Sequence, residues 1–107
     1  MANLNKIFLI GNLTDDPQLK QVRSGKNVAV FGMATNERYR RADGTEEERV
    51  CFVDVVAWER QAELCAQYLK KGSLVFVEGR LVYRTWEDDN GQKRSKLDVY
   101  AFSVQFL

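Results

Sequence analysis

Aromatic and basic residues interleave along this chain, and their chemistry is the easiest to assign. The rings predicted to face outward are Tyr39, Phe52, Trp58 and Trp86. The basic residues that accompany them are Lys6, Lys20, Arg38, Arg49, Arg60, Arg80 and Arg84. An aromatic ring stacks on the face of any nucleobase, and arginine and lysine pair with phosphates. Together the two sets predict a surface for a flat, anionic polymer, of which unpaired nucleic acid is the best example.

Three interpretations of these rings and cations compete. Single-stranded nucleic acid uses both, whereas a duplex hides its base faces, and no segment resembles a recognition helix for a groove. A saccharide or a peptide ligand would use the rings alone. Aromatic residues of strands are also often core or interface residues, which would leave a purely structural module. The recurrence of rings at outward positions with arginine neighbours favours the first interpretation.

Few residues are suited to catalysis or metal binding. The chain has no histidine, which excludes Ser-His-Asp and Cys-His arrangements, and it has no glycine-rich phosphate loop. Cys51 and Cys65 cannot make a tetrahedral zinc site alone, and we expect both to be buried free thiols. The carboxylate pairs Asp15-Asp16 and Asp88-Asp89 lie among turn formers, as solvated loop residues do. We therefore expect a protein that is not an enzyme and holds no metal or cofactor.

Length and composition are those of one ordinary globular domain. Residues 1–107 suffice for a single domain with its own core. Because 16 basic residues face 15 acidic ones, the net charge of +1 does not by itself indicate a nucleic-acid binder. No apolar run approaches the roughly 20 residues of a membrane span, and the first residues lack the pattern of a signal peptide. We expect a cytoplasmic protein with no membrane partner.

The stretch Val50–Trp58 predicts the strand around which the binding surface is organised. It is rich in β-branched and aromatic residues and contains no glycine or proline. Side chains alternate across a strand, which places one set outward: Phe52, Asp54, Val56 and Trp58. The opposite set is wholly apolar and is expected to face the core: Cys51, Val53, Val55 and Ala57.

The remaining pattern predicts an all-β chain of about five long strands with one helix. Strands are expected over 6–13, 28–35, 50–58, 74–84 and 95–106, with a short extended segment at 19–22. Residues 36–49 predict a long, mobile, charged hairpin tip, and Gly32 predicts a bulge or sharp bend. Strict alternation in the last strand puts Val99 and Val104 on opposite faces.

The position of the helix indicates the type of barrel. Residues 59–69 carry the only helical spacing, and Gly72 follows as a C-terminal stop. One helix between strands three and four of an all-β chain is the layout of the five-stranded OB-fold, a Greek-key barrel. The open face of that barrel binds oligonucleotides or oligosaccharides.

Segments along nearly the whole chain resemble bacterial single-stranded DNA-binding proteins (SSB), in the order and spacing of that family. They are Asn5–Leu13 with Asp16-Pro17, Ala34–Tyr39, Ala62–Ser73, Val77–Leu81 and Trp86–Gly91. The resemblance implies an OB-fold that assembles as a homotetramer and wraps single-stranded DNA without sequence preference. It also implies a nucleoid-associated protein that protects the strand during replication, recombination and repair.

The resemblance assigns roles to particular residues. The stacking rings of the family fall on Tyr39, Phe52, Trp58 and Trp86. Tryptophan is common in the family at the first two positions and phenylalanine at Trp58, so a ring is kept throughout. Asp54 stands where a basic residue is common, and we expect it to repel phosphate or to pair with a neighbouring arginine.

Assembly and partners follow from the resemblance and from the apolar content. The last strand and an apolar first strand offer more apolar surface than a small barrel readily buries, which favours an oligomer. Family members continue into a glycine-rich linker and an acidic tip, so replication and repair proteins are expected partners only if such a tail follows residue 107. The alternatives are a primosome accessory protein, which is more often dimeric, and an OB-fold oligosaccharide binder.

Overall fold

Six strands and one helix make up the fold in this computed structural model, which describes residues 2–107. The strands are β1 (Ile7–Leu13), β2 (Gln18–Gln21), β3 (Asn27–Arg40), β4 (Glu46–Trp58), β5 (Leu74–Glu87) and β6 (Lys93–Phe106). The helix α1 (Glu59–Tyr68) lies between β4 and β5, which are the third and fourth long strands, as predicted. The strand beyond the five predicted long ones is the short β2, which the sequence indicated only as an extended segment.

Five of these strands close into a barrel. The strand order is β1-β5-β6-β4-β3-β2, and an additional pairing of β1 with β3 closes the sheet. That closure pairs Asn12 with Ala34 and Leu13 with Met33. The β4–β6 contact is parallel and the other pairings are antiparallel. The predicted all-β OB-fold is therefore confirmed.

The core fills the barrel and extends under the helix. Its buried members are Leu13, Ala29, Phe31, Met33, Val55, Ala57, Ala62, Cys65, Leu69, Val75, Val77 and Val99. Ala62 and Cys65 are the buried face of α1. Burial raises the pKa of the Cys65 thiol to about 11, so this side chain behaves as a small neutral hydrophobe.

The prediction of two buried thiols is wrong for Cys51. Its side chain is exposed, although it shares a face with the buried Val55 and Ala57. Cys51 pairs with Thr35, just beyond Met33 and Ala34, where β1 closes against β3. The strand has left the barrel there, so the inward face no longer has a core to meet.

Residues 36–49 form a hairpin, as predicted, but most of them are strand, so the prediction of a long tip is wrong. The β3–β4 ladder runs without a break from Val28 opposite Trp58 to Arg40 opposite Glu46. Only a short turn remains, in which the Arg41 N–H donates to the Thr45 carbonyl at 2.8 Å. Opposite charges face each other across the ladder and stabilise a hairpin that has little apolar surface to bury. We call this extension the β3–β4 arm.

Gly32 is not a bulge, which was one of the two alternatives predicted for it. It pairs with Asp54 in an unbroken stretch of the β3–β4 ladder. A Cβ at this position would collide with the Thr14 hydroxyl, so glycine is needed here for close packing.

The bulge lies in β6 instead. Glu78 pairs with Ser103 and Gly79 pairs with Ala101, which leaves Phe102 without a partner on β5. One extra residue reverses the alternation beyond it. Val104 therefore packs against the same core as Val99, and the prediction that placed them on opposite faces is wrong.

Candidate nucleic-acid interface

A groove of ≈ 270 Å³ crosses the outer surface of the barrel. Its lining residues are Lys20, Val22, Val28, Val30, Asp54, Val56, Trp58, Arg84, Asp98 and Tyr100. Apart from Val22, which follows β2, they come from β2, β3, β4, β5 and β6, and the strand order of the sheet places these five strands side by side. The groove is apolar along β3 and carries rings, cations and carboxylates at its other positions.

Two rings meet at one side of the groove. Trp58 lies 6.0 Å from Tyr100 between ring centroids, with the planes tilted by 55°. Trp58 is half-buried and is the last residue of β4. Glu59 follows with a positive φ of 55°, and the chain turns there directly into the helix. The guanidinium of Arg80 lies over Tyr100 at 5.5 Å. A base that entered the groove would find aromatic rings and a cation side by side.

Tyr100 lines this groove and Lys96 lines an adjoining hollow, and neither was among the residues predicted from the sequence. Both lie on the same face of β6 as Asp98, two residues away on either side. A ring and a cation at that spacing were the signal that could have identified them.

A buried carboxylate anchors one of the predicted phosphate-binding residues. The Nε–H of Arg84 donates to Asp98 Oδ2, and this hydrogen bond raises the pKa of the guanidinium above its ordinary value. The same guanidinium lies 4.9 Å from the ring centroid of Trp86, two residues along β5. Trp86 itself is exposed and lines a second hollow on the β5–β6 hairpin. Arg84 thus joins the groove to Trp86.

Asp54 forms an ion pair, which was one of the two alternatives predicted for it, but its partner is a lysine and not an arginine. Its carboxylate accepts from the ammonium of Lys96 on β6. Phe52, on the same face of β4, is 71% exposed and lines a hollow that also contains Asp54 and Lys96. The middle of this strand face is therefore a neutral ion pair beside an open ring.

The β3–β4 arm carries three more of the predicted residues. The hydroxyl of Tyr39 donates to the Glu47 carboxylate, and the guanidinium of Arg49 lies 4.9 Å from the Tyr39 ring centroid. Arg38 lines the same hollow as Tyr39 and Arg49. One face of Tyr39 is covered by a cation, so a base would stack on the opposite face.

Lys6 and Arg60 lie outside the groove lining. Lys6 immediately precedes β1, and its ammonium pairs with Glu78 Oε2 on β5 at 2.6 Å. Arg60 is in the first turn of α1 and lies 3.5 Å from Glu63 Oε2. Of the eleven predicted residues, the structure brings Lys20, Trp58 and Arg84 into one groove. Arg80 and Trp86 adjoin it through Tyr100 and Arg84.

Within residues 2–107, no group of three or more His, Cys, Asp or Glu side chains is placed to hold a metal ion. In the same part of the chain, no helix is long and apolar enough to cross a membrane.

Comparison with known proteins decides the family. The model of the single-strand binding protein family matches residues 4–107. The chain belongs to this family. The single-stranded DNA-binding proteins of Wolinella succinogenes and Helicobacter pylori are 52% and 45% identical to it, each over 96% of this chain. The resemblance found in the sequence is confirmed.

Solved structures of the SSB family share the fold. A Plasmodium falciparum SSB complex with ssDNA superposes with a TM-score of 0.92 at 31% identity, and the match covers 100% of this chain and 97% of that one. A deletion mutant of the Thermus aquaticus single-stranded DNA binding protein gives a TM-score of 0.85 at 38% identity, over 97% of this chain and 50% of that one.

The matched region is only part of the SSB relatives. This chain spans 64% of the length of the Wolinella succinogenes protein and 58% of that of Helicobacter pylori. These matches show that the chain belongs to the family and that it has the barrel fold on which the groove lies.

Proposed function

We propose that this chain binds single-stranded DNA without sequence preference and protects it during replication, recombination and repair. The observation that carries the proposal is the groove, where Trp58 and Tyr100 meet beside Arg80, Arg84 and Lys20. The names of the relatives and the ssDNA complex of the Plasmodium falciparum neighbour support it. The proposed role is binding rather than catalysis, in the cytoplasm at the nucleoid.

The proposed mechanism is electrostatic capture followed by stacking. Phosphates release counterions as they meet Lys20, Arg38, Arg80 and Arg84, and bases then stack on the exposed rings. Arg84 is already paired with Asp98, so its remaining N–H groups are those left for phosphate. A strand held by about four cations should lose roughly 500-fold in affinity over a tenfold rise in salt.

Tryptophan fluorescence during titration with oligo(dT), at low and high salt, tests this proposal. Trp58 and Trp86 are the two tryptophans of the chain, and both lie on the proposed surface. We expect quenching by the single strand that weakens with salt, and none by duplex DNA of equal length. An equal response to duplex, or no response, would redirect the search to sugars and protein partners.

A homotetramer is the second part of the proposal. The outward face of β1 exposes Phe8 and Ile10 by 59% and 57%, and Leu74, which pairs with Asn12, extends this apolar face onto β5. Within residues 2–107, only Asn12 and Leu13 of β1 pair with β3. The edge of residues 7–11 can therefore accept a strand from another chain. Recruitment of replication and repair proteins through an acidic tail stays a prediction.

Ile10→Lys should lower the mass of the assembly in solution. A lysine in the middle of an apolar contact would have to be desolvated without a partner, so the contact through β1 should be lost. Light scattering should then report a dimer or a monomer in place of a tetramer. Leu19→Lys, on the exposed β2, is the matched control and should keep the original mass. A wild-type dimer would instead favour the primosome accessory alternative.

A further inference from the structure

Asp98 is a charged residue buried in the floor of the groove. Only 2% of it is exposed, and it is the one buried charged residue among residues 2–107. Its Oδ1 atom has no hydrogen-bond partner in that part of the chain. A buried carboxylate is costly, and an apolar residue of similar size would commonly give a more stable barrel. A role in binding explains the carboxylate better than a role in stability.

The register of β5 and β6 shows what Asp98 holds. It lies opposite Val82, so Arg84, opposite Lys96, is two ladder pairs further along on the same face, and its side chain reaches back diagonally to the carboxylate. The hydrogen bond uses the Nε–H of Arg84. The guanidinium is then between Asp98 and the ring of Trp86, whose centroid is 4.9 Å from Arg84 Cζ. The arginine side chain stays 45% exposed, which leaves N–H groups for a phosphate.

We infer that Asp98 is a positioning residue for the binding of single-stranded DNA. It fixes the guanidinium of Arg84 against the ring of Trp86, so that a cation and a stacking ring reach the strand as one preassembled unit. The inference rests on the proposed function. The gain is entropic, because a flexible arginine and an exposed ring are ordered before the strand arrives.

Asp54 provides an unusually close control. It lies beside Asp98, because Val55 on β4 pairs with Val99 on β6. Its carboxylate pairs with Lys96, and this pair must open before a phosphate can use the lysine. Replacing either aspartate by asparagine removes one negative charge from the same small area. If only the charge mattered, both changes would tighten DNA binding. If Asp98 positions Arg84, Asp98→Asn should weaken DNA binding and Asp54→Asn should tighten it.

The experiment measures the affinity for a fluorescein-labelled oligo(dT) at one salt concentration for the wild type, Asp98→Asn and Asp54→Asn. We expect Asp98→Asn to bind about tenfold more weakly, a loss of the size of a cation–ring contact. Asp54→Asn should bind more tightly, because Lys96 is released. An Asp98→Asn variant that binds as tightly as the wild type, or more tightly, overturns the inference. If the wild type itself does not bind, the proposed function fails instead.

Two further variants separate positioning from a general structural effect. If Asp98 acts through Arg84, Asp98→Asn should cause no further loss in an Arg84→Gln background, and a full second loss would overturn the inference. In a Trp58→Phe background, the remaining fluorescence reports Trp86 alone. In that background, Asp98→Asn should reduce the fraction of the Trp86 fluorescence that saturating oligo(dT) quenches. An unchanged fraction would count against the preassembled unit of Arg84 and Trp86.

Unfolding of each variant in urea shows whether it is folded. Should Asp98→Asn fail to fold, Arg84→Lys takes its place, since it keeps the charge but cannot hold a flat guanidinium between Asp98 and Trp86. A tenfold loss in that variant supports the inference, and wild-type affinity overturns it.

Discussion

Trp58→Ala should weaken the binding of single-stranded DNA by roughly five- to a hundredfold. Stacking of one base on an aromatic side chain is worth about 1–3 kcal/mol, and Trp58 is the largest ring in the groove. The loss should be similar for oligo(dT), oligo(dC) and oligo(dA), since every base offers a π-face to the ring. Fluorescence anisotropy of labelled strands measures the affinity.

The position of Trp58 makes a control variant necessary. The ring is half-buried, and its centroid lies 6.0 Å from that of the Tyr100 ring, so its removal also affects packing. Trp58→Phe keeps a ring at the end of β4 and should retain most of the affinity. Urea unfolding of both variants separates lost packing from lost stacking. Equal affinities for the alanine variant and the wild type would mean that Trp58 serves only to pack against Tyr100.

Phe31→Ala should lower the free energy of unfolding by about 3–5 kcal/mol. Phe31 is 1% exposed and lies in the middle of β3, opposite Val55 on β4. Truncation removes the apolar transfer energy of the ring and leaves a cavity in a closed barrel that cannot collapse easily. Losses of this size are a large fraction of the stability of a small domain.

Urea unfolding at a fixed protomer concentration checks this value, because assembly would otherwise shift the apparent stability. Phe31→Leu is the control, and it should cost clearly less because most of the side-chain volume is kept. A loss below about 1 kcal/mol for the alanine variant would show that the barrel repacks around the site. The neighbouring Val30 lines the groove, so the oligo(dT) affinity of the folded fraction should also be recorded.

The sequence predicted the fold and the groove side of β4 for a simple physical reason. Inside the barrel, a strand has a core on one side and solvent on the other, so alternation alone places Val55 and Ala57 inward and Phe52 and Trp58 outward. The helix of residues 59–68 was equally visible, because its buried side chains recur at helical spacing. Both signals are local, and the structure confirms both.

Where the predictions were wrong, the cause is not local. Cys51 is exposed because β4 continues beyond the barrel, and no feature of its own segment marks where the barrel ends. Val104 faces the core because a bulge at Phe102, set by the pairing of β5 with β6, shifts the alternation by one residue. Strand lengths and bulges depend on the partner strands, which a single sequence does not show.

The chain alone thus determined an all-β barrel with one helix, a core face, and a set of rings and cations on the outer surface. Only the tertiary structure decided how those side chains combine: Arg84 with Asp98 and Trp86, Lys96 with Asp54, and Trp58 with Tyr100. These pairs join residues 2–42 positions apart in the sequence. Periodicity assigns a side chain to a face, but the register between strands decides which side chains on that face can touch.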